Sequence, residues 1–475
     1  MKKIFVFLAS LILSVTMLFA GCSFFGNDGV DGRDGKDGHS VTIEDIYRKY
    51  VSEHGDISFE DFLREYLSYT DGELNEATSL RATINRSLMS GVTILTRFAY
   101  TTHRPGVFGD VKETTHKIFT GSGAILWMDK SAGDAYVVTN CHVIYDDSSD
   151  DIYCPDIRLY LYGQDVSDVN YIITGNDITK DENYRIPAEI VGAAANYDIA
   201  LLKVSGSSVL KRSDAVAVSD KESVTEAFKY SFVQEDEAVV GETVYAIGNA
   251  SGEGMSASAG IISKDSEEIS VSLSETNTKL QYDFRVLRTS APINHGNSGG
   301  GLYNTSGKLV AIVQAKDEGE GIDNMGYALP ACMVRRLVVS MYESFVNNGN
   351  RPISVNGKKC GVYIADLNIK TLVSDSYARL NGDGIAVITE LIKVNNIEGR
   401  PARGNLELGD ILVSAKLMSA DGTEKENVNL TRDYILAEML ISARAGDVLT
   451  IMVERNNTEV PVSITFDNSC FKYYE

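Results

Sequence analysis

The chain has 475 residues, a formal net charge of −22 at pH 7, 44% hydrophobic residues and 41 glycines. At roughly 150 residues per domain it has room for about three folded units. An acidic surface excludes a phosphate-rich partner, so neither nucleic acid nor anionic lipid headgroups fit as electrostatic ligands. The six cysteines include no Cys-x-x-Cys pair, so no metal site, redox motif or cofactor is indicated.

Lys2 and Lys3 precede an apolar run from Ile4 to Ala20 that is too short and too near the start to favour a permanent span. The run closes on Leu18-Phe19-Ala20-Gly21-Cys22. Small residues directly before a cysteine make this segment resemble a bacterial lipoprotein signal. The resemblance implies that residues 1–21 are removed and that Cys22 becomes an acylated first residue, tethering the chain outside the cytoplasmic membrane. An ordinary secretory signal with a fortuitous cysteine is the competing reading, and Phe19 stands where lipoprotein signals favour an aliphatic residue.

Residues 22–41 contain the repeat Gly29-Val30-Asp31-Gly32-Arg33-Asp34-Gly35-Lys36-Asp37-Gly38. Glycine at every third position is collagen-like, but the tract is short and lacks proline, so a hydrated flexible spacer is expected. Residues 42–86 carry two box-like N-caps, Thr42-x-x-Asp45 and Ser58-x-x-Asp61. Each leads into apolar residues at helical spacing, Ile43, Ile46, Tyr47, Tyr50 and then Phe59, Phe62, Leu63, Tyr66. A small helical module near the membrane follows from that pattern.

From about residue 87 to 346 the period shortens to that of strands. Val92–Leu95, Thr120–Leu126, Tyr136–Thr139, Ile199–Val204, Val244–Gly248 and Leu309–Val313 are short apolar or β-branched runs broken by Gly, Asp and Asn. Many short strands with turn signals predict an antiparallel barrel or sandwich. Two acidic stretches, 146–185 and 219–238, interrupt the pattern and are expected to be surface loops. A helix is predicted near 331–346, with Met333, Val334, Leu337, Val338, Met341 and Phe345 on one face. Residues 347–357, rich in Asn and Gly with Pro352, read as a linker to a second strand-rich unit over 358–475.

Three pieces of this pattern carry chemistry together. Gly296-Asn297-Ser298-Gly299-Gly300 exposes a hydroxyl between glycines, and a hydroxyl is a weak nucleophile without a base and a group to orient that base. Tyr136-Val-Val-Thr139-Asn140-Cys141-His142 sets a histidine past the end of one strand, and Asn196-Tyr197-Asp198-Ile199 sets an aspartate at the mouth of another. The order His, Asp, Ser is that of the chymotrypsin barrel and not of subtilisin or the α/β-hydrolases.

On these residues the stretch from about 87 to 335 resembles the HtrA/DegP family of trypsin-like serine proteases. Thr120-Gly121-Ser122-Gly123, Thr139-Asn140-Cys141-His142-Val143, Asp198-Ile-Ala-Leu-Leu-Lys203, Ala246-Ile-Gly-Asn249, Gly260-Ile-Ile-Ser263 and Met325-Gly-Tyr-Ala-Leu-Pro330 carry the match. The resemblance implies a mostly β fold with a chymotrypsin-like double barrel. It gives Ser298 the role of nucleophile, His142 that of base and Asp198 that of the orienting acid. It assigns the oxyanion hole to the backbone N–H groups of Gly296 and Ser298 with Asn297 between them. Cys141, Ser290, His295 and Gly301 depart from the usual family residues, and Cys141 is expected to be a packed small residue.

Residues 358–475 resemble a bacterial PDZ domain on Leu406-Glu-Leu-Gly409-Asp410-Ile411-Leu412 and Ala445-Gly446-Asp447. By that resemblance Lys359, Cys360, Gly361 and Val362 form the loop that receives a peptide C-terminus; an accessory β-domain with a blocked groove is the other reading. A Cys360–Cys470 disulfide is a further open expectation. Taken together, the resemblances imply a lipid-anchored extracytoplasmic serine endopeptidase, a homotrimer acting on misfolded or damaged exported polypeptides. A non-catalytic chaperone built on the same barrel and PDZ domain, and a surface adhesin suggested by the Gly-x-Asp tract alone, are the alternatives.

Overall fold

A computed structural model describes residues 43–54, 57–59, 62, 71–105, 110–164, 184–233, 239–272, 281–316, 325–355, 357–397 and 403–474. The predicted signal 1–21, Cys22 and the Gly-x-Asp spacer lie outside the described residues. The chain divides into two compact units, residues 1–79 and 80–475.

In the first unit the predicted helix is α1 (Ile43–His54). The Tyr47 ring meets Phe59 at 5.0 Å and Phe62 at 5.3 Å, and Phe62 is fully buried. Phe62 N–H donates to the Ser58 carbonyl at 2.9 Å, the i to i+4 bond expected after the second N-cap. Helix α2 (Asp71–Ser90) follows; from Leu80 on it belongs to the second unit, where Leu88 is part of the core and Ile84 packs against it.

The second unit opens with six antiparallel strands, β1 (Gly91–Arg104), β2 (Val111–Asp129), β3 (Asp134–Thr139), β4 (Ile157–Leu161), β5 (Ile186–Ala194) and β6 (Ile199–Val204). They close into a barrel in the order β1-β2-β3-β6-β5-β4. Two short helices, α3 (Ser208–Arg212) and α4 (Val224–Ser231), lead to a second closed barrel, ordered β10-β11-β12-β9-β8-β7. Its strands are β7 (Thr243–Gly248), β8 (Ser256–Ser272), β9 (Gln281–Thr289), β10 (Gly301–Asn304), β11 (Leu309–Lys316) and β12 (Gly326–Pro330). Closure removes the open sheet edges that would otherwise template aggregation. The mostly β, double-barrel fold expected from the sequence is the one observed.

The acidic stretches are less loop-like than their composition suggests. Residues 157–161 form β4, buried at all five positions, because Ile157, Leu159 and Leu161 fill the first barrel while Arg158 pairs with Asp156 at 2.5 Å. Within 219–238, α4 buries Ala227 and Phe228 under the barrel wall. Local charge hid both elements. The predicted helix near 331–346 is α5 (Ala331–Asn347), which packs its apolar face on the first barrel.

The C-terminal region has a sheet ordered β14-β15-β16-β18-β19, with β17 paired to β16. Its strands are β13 (Val362–Ala365), β14 (Ile369–Leu380), β15 (Ala386–Ile397), β16 (Ile411–Met418), β17 (Glu424–Asn429), β18 (Val448–Arg455), β19 (Thr458–Thr465) and β20 (Phe471–Tyr474). Helix α6 (Asp433–Met439) precedes β18, and β13 pairs with β20 in a separate ladder. A buried ionic cluster ties this region to the barrels. Glu438 on α6 meets Arg285 on β9 at 2.5 Å and Arg336 on α5 at 3.2 Å. Cys360 and Cys470 are free, buried thiols, so the expected disulfide is not formed; Cys360 instead donates to the Ser354 carbonyl.

Candidate active site

Strand register brings the first two candidate residues together. Thr139 at the end of β3 pairs with Ala200 near the start of antiparallel β6. A residue three past Thr139 and a residue two before Ala200 therefore meet over the same end of the barrel. His142 sits in the 3-10 turn Cys141–Val143, and Asp198 caps the turn Ala195–Tyr197 in a left-handed conformation, φ 49° and ψ 40°. Aspartate tolerates that region better than most side chains.

Asp198 is fully buried, and its carboxylate is filled by donors. His142 Nδ1 lies 2.8 Å from Oδ2, the His142 backbone N–H donates to Oδ1 at 2.9 Å, and Gln314 Nε2 donates to Oδ2 at 3.3 Å. Asn140 Nδ2 holds the Asp198 carbonyl at 2.9 Å. Acceptance by the carboxylate requires the imidazole proton on Nδ1, which leaves Nε2 as an acceptor. The His142 side chain keeps 27% exposure, enough to meet a solvent-borne substrate.

Ser298 enters from the second barrel, in the loop between β9 and β10. Its carbonyl accepts from Ser122 N–H at 2.8 Å, and the Ser122 carbonyl accepts from Thr139 Oγ1 at 2.7 Å. Ser122 on β2 thus links the serine loop to the strand end that precedes the histidine. Among the described residues the Ser298 hydroxyl donates to the Gln314 carbonyl at 3.0 Å and not to His142. Rotation about the serine Cα–Cβ bond moves such a hydroxyl between staggered wells.

The loop ahead of Ser298 is pinned at successive peptides. The His295 carbonyl accepts from Ser251 N–H at 2.7 Å. Because C=O and N–H point opposite ways across a trans peptide, this turns the Gly296 N–H away from Ser251. The Gly296 carbonyl accepts from Ser122 Oγ at 2.6 Å, and the Asn297 N–H is spent on the Asn294 carbonyl at 3.1 Å. Among the described residues no protein acceptor meets the N–H of Gly296 or Ser298. The loop therefore offers two donors of the expected set, while Asn297 contributes none. Gly296 is obligatory here: its φ is +88°, and a Cβ would stand 2.2 Å from the Asn249 carbonyl oxygen.

The departures from family pattern find local reasons. Cys141 is fully buried. A side chain at Gly301 would meet the Tyr303 ring at 2.3 Å, and the Ser290 hydroxyl accepts from Ile261 N–H at 3.1 Å. His295 is exposed and contributes through its carbonyl. Sequence reasoning missed three supports, Gln314, Ser122 as a linker, and Ser251. A glutamine ending the apolar run of β11 was a readable signal for the first.

Of the remaining expected residues, Lys359, Cys360 and Gly361 lie directly ahead of β13 in the C-terminal region, and Val362 is its first residue. Among the described residues no cluster of His, Cys, Asp or Glu could hold a metal ion, and no helix is long and apolar enough to cross a membrane.

Residues 121–312 match the trypsin-like peptidase domain family. Across 353 residues the chain is 27% identical to the serine protease Do-like HtrA of Bacillus subtilis (strain 168), covering 73% of this chain and 64% of that protein. It is 26% identical over 342 residues to a probable periplasmic serine endoprotease, DegP-like, of Bartonella henselae, covering 71% of this chain and 52% of the relative. The chain thus spans less than two thirds of each of these two relatives. Among solved structures it is similar to an HtrA-type protease, AlgW with tripeptide, with TM-score 0.45 and 19% identity over 83% of this chain and 97% of that one.

Proposed function

We propose that this chain, which carries a trypsin-like peptidase domain over residues 121–312 and has HtrA/DegP serine proteases as relatives, is an HtrA-type serine endopeptidase. It acts on misfolded or damaged exported polypeptides outside the cytoplasmic membrane, tethered through Cys22 and assembled as a homotrimer. Residues 358–475 serve as a PDZ domain that receives peptide ends at Lys359–Val362.

In this reading Ser298 Oγ attacks the scissile carbonyl carbon while its proton passes to His142 Nε2. The resulting oxyanion is met by the N–H groups of Gly296 and Ser298, donors already oriented before charge develops. His142 then returns the proton to the leaving amine as the C–N bond breaks, leaving an acyl-enzyme on Ser298. Water, deprotonated by the same imidazole, hydrolyses the ester. Asp198 holds the tautomer and stabilises the imidazolium without itself taking a proton.

The observation that carries this reading is the Ser122 link. It couples the Ser298 loop to the strand end beside the 2.8 Å His142–Asp198 pair. A second reading, a peptide-holding module whose serine does not turn over, draws support from the Ser298 hydroxyl bond to Gln314. A fluorophosphonate probe separates them. Covalent labelling mapped to Ser298 by peptide mass spectrometry is expected, and an unlabelled Ser298 in folded protein would favour the second.

A further inference from the structure

Strand β13 is only four residues long, and among the described residues its ladder partner is β20. The pairing is antiparallel, with Val362 opposite Tyr474, Tyr363 opposite Tyr473, Ile364 opposite Lys472 and Ala365 opposite Phe471. An extended chain added to a strand edge beside a loop of backbone donors is the arrangement by which a sheet takes up a peptide. The loop donors are also engaged: the N–H groups of Cys360 and Gly361 both point to the Tyr473 hydroxyl, at 3.4 and 3.0 Å. The Lys359 ammonium lies 5.7 Å from the centre of the Tyr473 ring.

Resting on the reading of Lys359–Val362 as a peptide-accepting loop, we propose that this site is filled by the chain's own residues 471–474, which an incoming peptide must displace. Gly361 fits this occupant closely, since a Cβ there would stand 1.9 Å from the Tyr474 carbonyl oxygen and 2.7 Å from the Tyr473 ring. Lys472 pairs with Asp366, just beyond β13. Tyr474 borders a cavity of about 200 Å³ whose walls include Ile364, Leu367, Leu436 and Leu440. The occupied edge also reaches the candidate active site. Tyr474 packs edge-on against Tyr197, one residue before Asp198, at 6.2 Å, and the Cys360 carbonyl accepts from Ala193 N–H at 2.9 Å.

A strand joined to the sheet by so short a connection competes at an effective concentration in the mM range. If its intrinsic affinity is on the order of 100 μM, the apparent affinity for an external peptide falls about tenfold or more. The probe is the fluorescein-labelled pentapeptide Phe-Lys-Tyr-Tyr-Glu, followed by anisotropy against three proteins: the full chain, a chain ending at Cys470, and full-length Tyr473→Phe, which keeps the ring but loses the acceptor oxygen. The shortened chain is expected to bind at least tenfold tighter than the full chain, with Tyr473→Phe severalfold tighter than the full chain. Equal, measurable binding by all three proteins would overturn self-occupation while leaving the peptide-accepting loop standing. No binding by any of them would overturn both. Should the shortened chain fail to fold, full chain against Tyr473→Phe decides alone.

Discussion

Gln314 supplies the most informative perturbation. Among the described residues its side chain makes one hydrogen bond, Nε2 to Asp198 Oδ2 at 3.3 Å, and its buried Oε1 meets no protein donor. A hydrogen bond to a charged group contributes about 1.5–3 kcal/mol, and the long distance puts this one near the lower bound. If that contribution is what keeps Asp198 in place while the imidazolium forms, its loss of about 1.5 kcal/mol corresponds to roughly tenfold in kcat. Gln314→Ala removes that single long hydrogen bond and leaves a small cavity at the end of β11. Folding stability should therefore change less than turnover does. The backbone carbonyl that receives the Ser298 hydroxyl is retained in the variant. Steady-state kinetics on a fluorogenic peptide should give a kcat about tenfold lower with KM unchanged, alongside a near-native melting temperature. An unchanged kcat would refute the positioning role. A loss of about 10⁴-fold, the scale of removing the orienting aspartate itself, would show that Gln314 does more than brace it.

Three further outcomes test other parts of the structure. Gly296→Ala should lower kcat by about 10²–10³-fold, the scale of losing one oxyanion donor, with the far-UV spectrum retained; wild-type turnover would contradict the pinned loop. Glu438→Gln leaves Arg285 short of its buried partner, and breaking such a pair costs about 3 kcal/mol or more, so chemical denaturation should begin at visibly lower denaturant. A midpoint equal to wild type would mean the cluster is not a tie between barrel and C-terminal region. Burial alone would raise the Asp410 pKa, but the Arg455 guanidinium and the Glu407 N–H hold it below the ordinary carboxylate value. A lowered folded-state pKa stabilises fully above the unfolded value of about 3.9 and loses that contribution as pH falls through the folded pKa. Arg455→Leu should therefore flatten the acid limb of the stability curve below about pH 4; an unaltered limb would assign it elsewhere.

How much of this was legible in the sequence depended on where each signal resides. His142, Asp198 and Ser298 were readable because each follows or precedes an apolar strand, and antiparallel register does the rest. Strand β4 was not, because its alternating Ile157, Leu159 and Leu161 are surrounded by acidic residues that dominate local composition. Ser251 acts through its backbone N–H, so its side-chain identity carries no trace of the role. The β13–β20 ladder joins segments separated by more than a hundred residues, and Phe471-Lys-Tyr-Tyr474 has no local feature that names its partner. Asn297 was expected in the oxyanion loop between the two donors, and its own N–H closes the turn onto the Asn294 carbonyl.

The most direct test is turnover of labelled casein by the wild-type chain and by Ser298→Ala, with both proteins matched for folding by their melting curves. The proposed acyl-enzyme chemistry predicts steady digestion by the wild type and a loss of about 10⁶-fold in the variant, which reads as no digestion. Equal digestion by the two proteins would contradict it.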